Sequence, residues 1–313
     1  MPMTTPTPLP PWDKETLPLM RRWLNSVRSM LVRIGVGILG ASAYAVLVFM
    51  PTGIPFALGV GIFSCLGWNE LYRAVKEKYG GEPTEFLGYV GCLVFEYGAW
   101  TQNGEGFTPR LPATLLLLVI VTLLTELVKP RPKPILNVGA TLLGTVYIGW
   151  LFSYLTLLHS MNPHPSPILT PPIKGTTQGE WLTIFVTAAT WLSDTGALFV
   201  GRGLGRNKLA PGISPQKTWE GSLGGLTLSV LCGLLLGWWL HLPLGHALLL
   251  SLLCGVAGQI GDLSESALKR DLGLKDFGTI FPEHGGVLDR IDSLLFAAPL
   301  AYYYVLFFLV KPH

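Results

Sequence analysis

The chain has 313 residues, half of them hydrophobic and only 13% charged, with a net charge of +3. Soluble domains carry roughly 25% charged residues, so this composition excludes an ordinary water-soluble domain. So small a net charge gives no reason to expect a nucleic-acid partner.

Apolar runs recur at close to the ~20 residues that cross a bilayer as a helix. Nine are counted, at 31–50, 53–72, 84–101, 111–128, 135–157, 181–201, 219–240, 244–262 and 287–310. Lipid admits only helices or closed barrels, because backbone groups find no water there. Barrel strands are about half this length and alternate in polarity, which these runs do not. The expectation is an all-α, polytopic integral membrane protein with about nine transmembrane helices and a cytoplasmic N-terminus.

The basic residues give that orientation. With the N-terminus inside, 19 of the 22 lysines and arginines fall in cytoplasmic segments, leaving Arg110, Lys174 and Lys311 outside. Such asymmetry is the positive-inside pattern. The division expected from this is a cytoplasmic tail over 1–30, a helical scaffold over 31–178 and a catalytic region over 179–313.

Along the chain, residues 1–19 are proline-rich and lack the apolar core of a signal peptide. Arg21, Arg22 and Arg28 either rest on anionic headgroups or act only as a topology signal. Cys65, Cys92, Cys232 and Cys254 stand singly in apolar runs, which indicates neither a disulfide framework nor a zinc site. Lys129-Pro-Arg-Pro-Lys-Pro134 cannot be helical and separates two spans. Residues 158–178 read as an external, proline-rich loop in which His159 and His164 are ordinary loop residues.

Six of the seven aspartates lie between 194 and 292, so the chemistry is expected toward the C-terminus. Asp194 sits eight residues before Arg202, roughly 12 Å inside the basic end of its helix. A carboxylate at that depth faces either a partner or a watery cavity. The loop Gly201–Gly221 combines glycines with Arg202, Arg206, Lys208 and Lys217, a composition suited to an anion. Within it, Pro215 is read as setting a turn, and Lys217 to Glu220 as opening a helix whose N-terminus holds phosphate.

The densest charge lies in Ser266–Asp292, with Asp262 just upstream. Asp262, Ser266, Lys269 and Arg270 share one helical face, as do Asp289 and Asp292. Aspartates from two helices converging on Mg²⁺ fit a hard cation that takes carboxylates, water and phosphates. His284-Gly-Gly forms a hinge, and His284 either contacts phosphate or ribose or caps the next helix. Salt bridges among these residues are the structural alternative.

Ser266-Ala-Leu-Lys269-Arg270, Lys275-Asp276, His284-Gly-Gly and Asp289-Arg290-Ile-Asp292 resemble the full signature of the phosphatidate cytidylyltransferases. Ser214-Pro-Gln-Lys217-Thr-Trp-Glu-Gly and Gly261-Asp262 are similar to that family too. The match covers about 190–292. The resemblance implies condensation of CTP with phosphatidate to CDP-diacylglycerol and pyrophosphate, at the cytoplasmic face of a bacterial inner membrane. It implies Asp262 and Asp289 as Mg²⁺ ligands, with Asp194 and Asp292 as further metal or supporting groups. Lys217, Lys269 and Arg270 would then bind phosphates and act in catalysis. Ser214, Ser266, Lys275, His284 and Arg290 would contact substrate, with Asp276 beside them. A second, monovalent cation and a homodimer are implied as well. The readings kept open beside it are a CTP-dependent polyprenol or phytol kinase, which attacks the γ-phosphorus, and an ion-coupled transporter.

Overall fold

The computed structural model describes residues 35, 37–102, 110–161, 169–280 and 285–310. These form helices α1 (Gly37–Val48), α2 (Ile54–Tyr79), α3 (Glu85–Thr101), α4 (Arg110–Val128) and α5 (Pro134–Ser160). They continue as α6 (Gln178–Leu204), strands β1 (Lys208–Ala210) and β2 (Ser214–Thr218), then α7 (Trp219–Trp239), α8 (Leu244–Leu272) and α9 (Leu288–Phe308).

The expected all-α membrane architecture is what forms, although the described residues do not confirm all nine helices as spans. Among the described residues, seven helices are long and apolar enough to cross a bilayer. The other two are shorter: α3 has 17 residues, about 25 Å of rise against a ~30 Å hydrocarbon core. The described part of α1 is shorter still. The tail 1–30, His164 and His284 lie outside the described residues.

Helix ends follow the local chemistry. Pro55 and Pro134 stand in the first turns of α2 and α5, where a missing N–H costs nothing. Gly80 and Gly273, both with positive φ, terminate α2 and α8. A capping box joins Thr177 and Glu180 at the start of α6: the Glu180 N–H donates to Thr177 Oγ1 at 3.2 Å and the Thr177 N–H to Glu180 Oε2 at 2.9 Å.

Two expectations change here. Helix α5 runs to Ser160, so His159 is not a loop residue. It is buried, stacked on Phe56, with Nε2 2.8 Å from the Val48 carbonyl. Pro215 does not set a turn but stands in the second strand of a small antiparallel hairpin, whose register pairs Lys208 with Thr218 and Ala210 with Ser214; the helix expected from Lys217 to Glu220 does open there, at Trp219. That helix is α7, with Thr218 Oγ1 accepting from the Gly221 N–H at 3.1 Å. Pro215 sits inside β2, where a two-stranded hairpin leaves an edge free of the need for its missing N–H.

Small residues set how closely the C-terminal helices approach. The buried positions of α7 are Gly221, Gly225, Ser229, Gly233 and Gly237, a four-residue repeat along one face. In lipid, helices associate through such faces because apolar burial supplies no driving force. Large side chains point outward instead, as Leu116, Val128, Phe199 and Trp238 do.

Candidate functional site

The ends of α6 and α8, the starts of α7 and α9, and the hairpin meet at one end of the helix bundle. Gly261 decides how closely: a methyl there would meet the Asp292 carbonyl oxygen at 2.5 Å. The backbone of α9 therefore lies directly on α8, which carries Asp262 and Asp292 to the same place. Gly261→Ala is expected to wedge the two helices apart. Overpacking costs about 1–3 kcal/mol, and a displacement of about 1 Å in a reacting site costs about 10²-fold in rate. A lowered melting temperature in detergent together with lost turnover is the expected pair of readouts; a variant unchanged in both would contradict this role for Gly261.

Asp262, Glu265 and Asp292 each offer an oxygen, all within 4.8 Å of one another. Like charges at that spacing repel by roughly 3 kcal/mol per pair at an effective dielectric of about 20. Around them, Lys217 Nζ lies 2.7 Å from Asp262 Oδ2. Lys269 Nζ lies 2.5 Å from Glu265 Oε2 and 2.8 Å from Asp289 Oδ1. Ser293 Oγ donates to Asp194 Oδ2 at 3.1 Å, while the Ser293 N–H donates to Asp292 Oδ1 at 2.7 Å. Asp194 thus flanks the cluster. These five carboxylates face two ammonium groups, a formal excess of three negative charges.

Buried Glu265 Oε1 has no hydrogen-bond partner among the described residues. An unpartnered carboxylate oxygen beside two further carboxylates fits a hard divalent cation, which takes oxygen ligands and supplies the missing positive charge. Asp262, Glu265 and Asp292 would hold it.

The grouping differs from the expected one at Asp289. Its carboxylate meets Glu265 through the shared Lys269 and does not stand among the three oxygens within 4.8 Å of one another. Oδ1 holds Lys269, and Oδ2 accepts from the N–H groups of Phe277 at 2.9 Å and Gly286 at 2.8 Å. With its oxygens so engaged, Asp289 fixes the lysine and both ends of the loop before α9. Glu265, rather than Asp289, stands with Asp262 and Asp292 in the group of three.

The remaining residues separate as well. Ser266 Oγ lies 3.4 Å from Asp262 Oδ1, at the edge of the site. Arg270 leaves the shared face. Its Nε donates to the Ile213 carbonyl and its Nη1 to the Leu274 carbonyl, both at 3.0 Å, so it pins the hairpin tip to α8. Ser214 stands near that tip, opposite Ala210, away from the base that carries Lys217. Lys275, Asp276 and Arg290 are exposed.

Two residues that the structure brings to this end of the bundle were not singled out from the sequence. Glu265 follows Asp262 by three positions on the same helical face; that spacing was a usable signal. Glu70 lies in α2, and its carboxylate accepts from the N–H groups of Val287 and Leu288, each at 2.9 Å. It caps α9 across 217 residues of sequence. Gly278 and Gly286 pack onto that carboxylate, where a side chain at either would collide with it. An acid inside an apolar run is a flag in itself.

Residues 31–308 match the model of the Cytidylyltransferase family. The chain is 35% identical over 270 residues to a phosphatidate cytidylyltransferase of Synechocystis, covering 81% of this chain and 89% of that protein. A phosphatidate cytidylyltransferase of Bacillus subtilis is 32% identical over 288 residues, covering 89% of this chain and 98% of the relative. One from Brucella suis is 47% identical over 160 residues, 51% of this chain and 54% of its own.

Proposed function

Because the chain belongs to the cytidylyltransferase family, we propose that it condenses CTP with phosphatidate, forming CDP-diacylglycerol and releasing pyrophosphate. The observation that carries this reading is likeness over nearly the whole length of relatives bearing that activity in their names. The geometry suits the reaction. A phosphate oxygen of phosphatidate forms the new bond to the α-phosphorus of CTP as the bond to the β-phosphate oxygen breaks. No protein nucleophile is needed, and none is offered.

Both reactants are polyanions, so their approach is opposed by charge. Lys217 stands at the rim of the cluster, where its ammonium group can meet a phosphate while remaining beside Asp262. Lys269 is held deeper by Glu265 and Asp289, which keeps a positive charge fixed near the same point. A divalent cation on Asp262, Glu265 and Asp292 supplies further neutralisation of the phosphates and polarises the reacting phosphoryl group when bound. Catalysis is then positioning plus charge stabilisation.

A lipid substrate and a soluble nucleotide meet most directly at a membrane–water boundary. The excess of lysine and arginine on one side of the spans supports placing this end of the bundle toward the cytosol, and the bacterial relatives suit a bacterial inner membrane. The test is incubation of the purified protein with labelled CTP, phosphatidate and Mg²⁺. Cytidine is expected in the lipid fraction with pyrophosphate released in equal amount. Release of CDP, with a phosphorylated alcohol, would instead establish a lipid-alcohol kinase.

A further inference from the structure

Inside α5, residues Thr145–Trp150 form a π-helical turn. Such turns are rare, and they recur at functional sites because the wider turn re-aims a side chain that a regular helix would point elsewhere. Tyr147 is carried by this one. It is 7% exposed, and its ring meets Phe296 of α9 edge-on with centroids 6.4 Å apart. The phenolic oxygen is buried and has no hydrogen-bond partner among the described residues. Phe296 stands one turn beyond Asp292 on α9 and packs at Gly261, the neighbour of Asp262, so the Tyr147 ring lies against the two helices that carry the acidic cluster.

Unlike the two lysines beside those carboxylates, a phenol is a neutral donor that brings no charge of its own, and unlike the Ser266 and Ser293 hydroxyls it is not already engaged with a carboxylate. Buried polar groups in folded proteins are paired, and an unpaired O–H on a helix packed against the cluster-bearing helices is free to meet an oxygen that the described residues do not supply. We propose that Tyr147 is a substrate-contacting residue, its O–H donating to a phosphate oxygen of the nucleotide held over Asp262, Glu265 and Asp292. The N-terminal half of the chain then contributes to recognition directly, through a residue outside the signature. This inference rests on the functional reading above.

The test is Tyr147→Phe, which keeps the ring against Phe296 and removes only the donor. Binding of labelled CTP is measured by equilibrium dialysis with Mg²⁺ and without phosphatidate, alongside Mn²⁺ binding in the absence of nucleotide by electron paramagnetic resonance. The variant is expected to melt like the parent, to bind Mn²⁺ as tightly, and to bind CTP about 10- to 100-fold more weakly, the loss typical of one hydrogen bond to a charged group. Equal CTP affinity in the variant would overturn the proposal. So would an equal weakening of Mn²⁺ alone, which would assign the phenol to the water around the cation. Binding and turnover separate the two readings. A parent that binds CTP but makes no lipid-linked cytidine defeats the functional reading and leaves the CTP comparison intact. A parent that makes it, with a variant binding CTP equally well, defeats only the role of Tyr147.

Discussion

Asp262→Asn is expected to lower turnover by roughly 10²–10³-fold, the loss that follows removal of one preorganised electrostatic group from a reacting site, with no change in thermal stability. Two effects oppose in the metal-free protein: the variant loses the pairing with Lys217, whose Nζ is itself buried, and sheds the repulsion between Asp262 and the carboxylates of Glu265 and Asp292. Asparagine keeps the volume and one oxygen, and the contact from Ser266 survives. What it loses is the charge that complements a cation and orients Lys217. The measurement is initial rate across a Mg²⁺ titration, with melting in detergent as the control for folding. Near-parental rates at saturating Mg²⁺ would remove Asp262 from the cation site.

Asp289→Asn is expected to lose activity by a different route, through the fold. Its carboxylate is 4% exposed and serves a buried lysine and two backbone donors together. Breaking a buried pair costs about 3–5 kcal/mol. The lower end applies here, because Glu265 still accompanies Lys269. The amide also presents an NH₂ where one of its partners requires an acceptor, leaving a backbone N–H or the lysine short. A fall in melting temperature of about 6 °C is expected at roughly 2 °C per kcal/mol for a chain of this size, together with lost turnover. Should Asp289→Asn melt like the parent and fail only in catalysis, its carboxylate would be a cation ligand, as its place in the signature suggests. The two aspartates, alike on paper, are thus separated by one experiment.

The difference between them was not visible in the linear pattern. Helical spacing puts Asp262, Ser266, Lys269 and Arg270 on one face, yet only the first three stay near the site, because Arg270 turns to the hairpin tip. Spacing likewise grouped Asp289 with Asp292, but Asp289 lies one turn nearer the start of α9, where the N–H groups of Phe277 and Gly286 in the preceding loop take one of its oxygens. The hairpin was missed because Ser214-Pro-Gln-Lys-Thr218 has neither the alternation nor the β-branched content of a strand. Its pairing comes from the chain folding back over the ends of α6 and α7, where Glu220 accepts from the backbone of Arg206 and Asn207. Glu70 escaped notice because its partners lie more than two hundred residues away.

From the sequence alone came the membrane class, the apolar runs, the charge asymmetry and the family, since each depends on composition or local order. Hydropathy is a sum over neighbours, and a signature is a string. Which carboxylate faces a cation and which holds a lysine depends instead on helix crossings, and those are set by where glycines such as Gly261 let two backbones touch. A crossing is a relation between segments distant along the chain, so where Glu265, Asp289 and Glu70 stand was visible only in the tertiary structure.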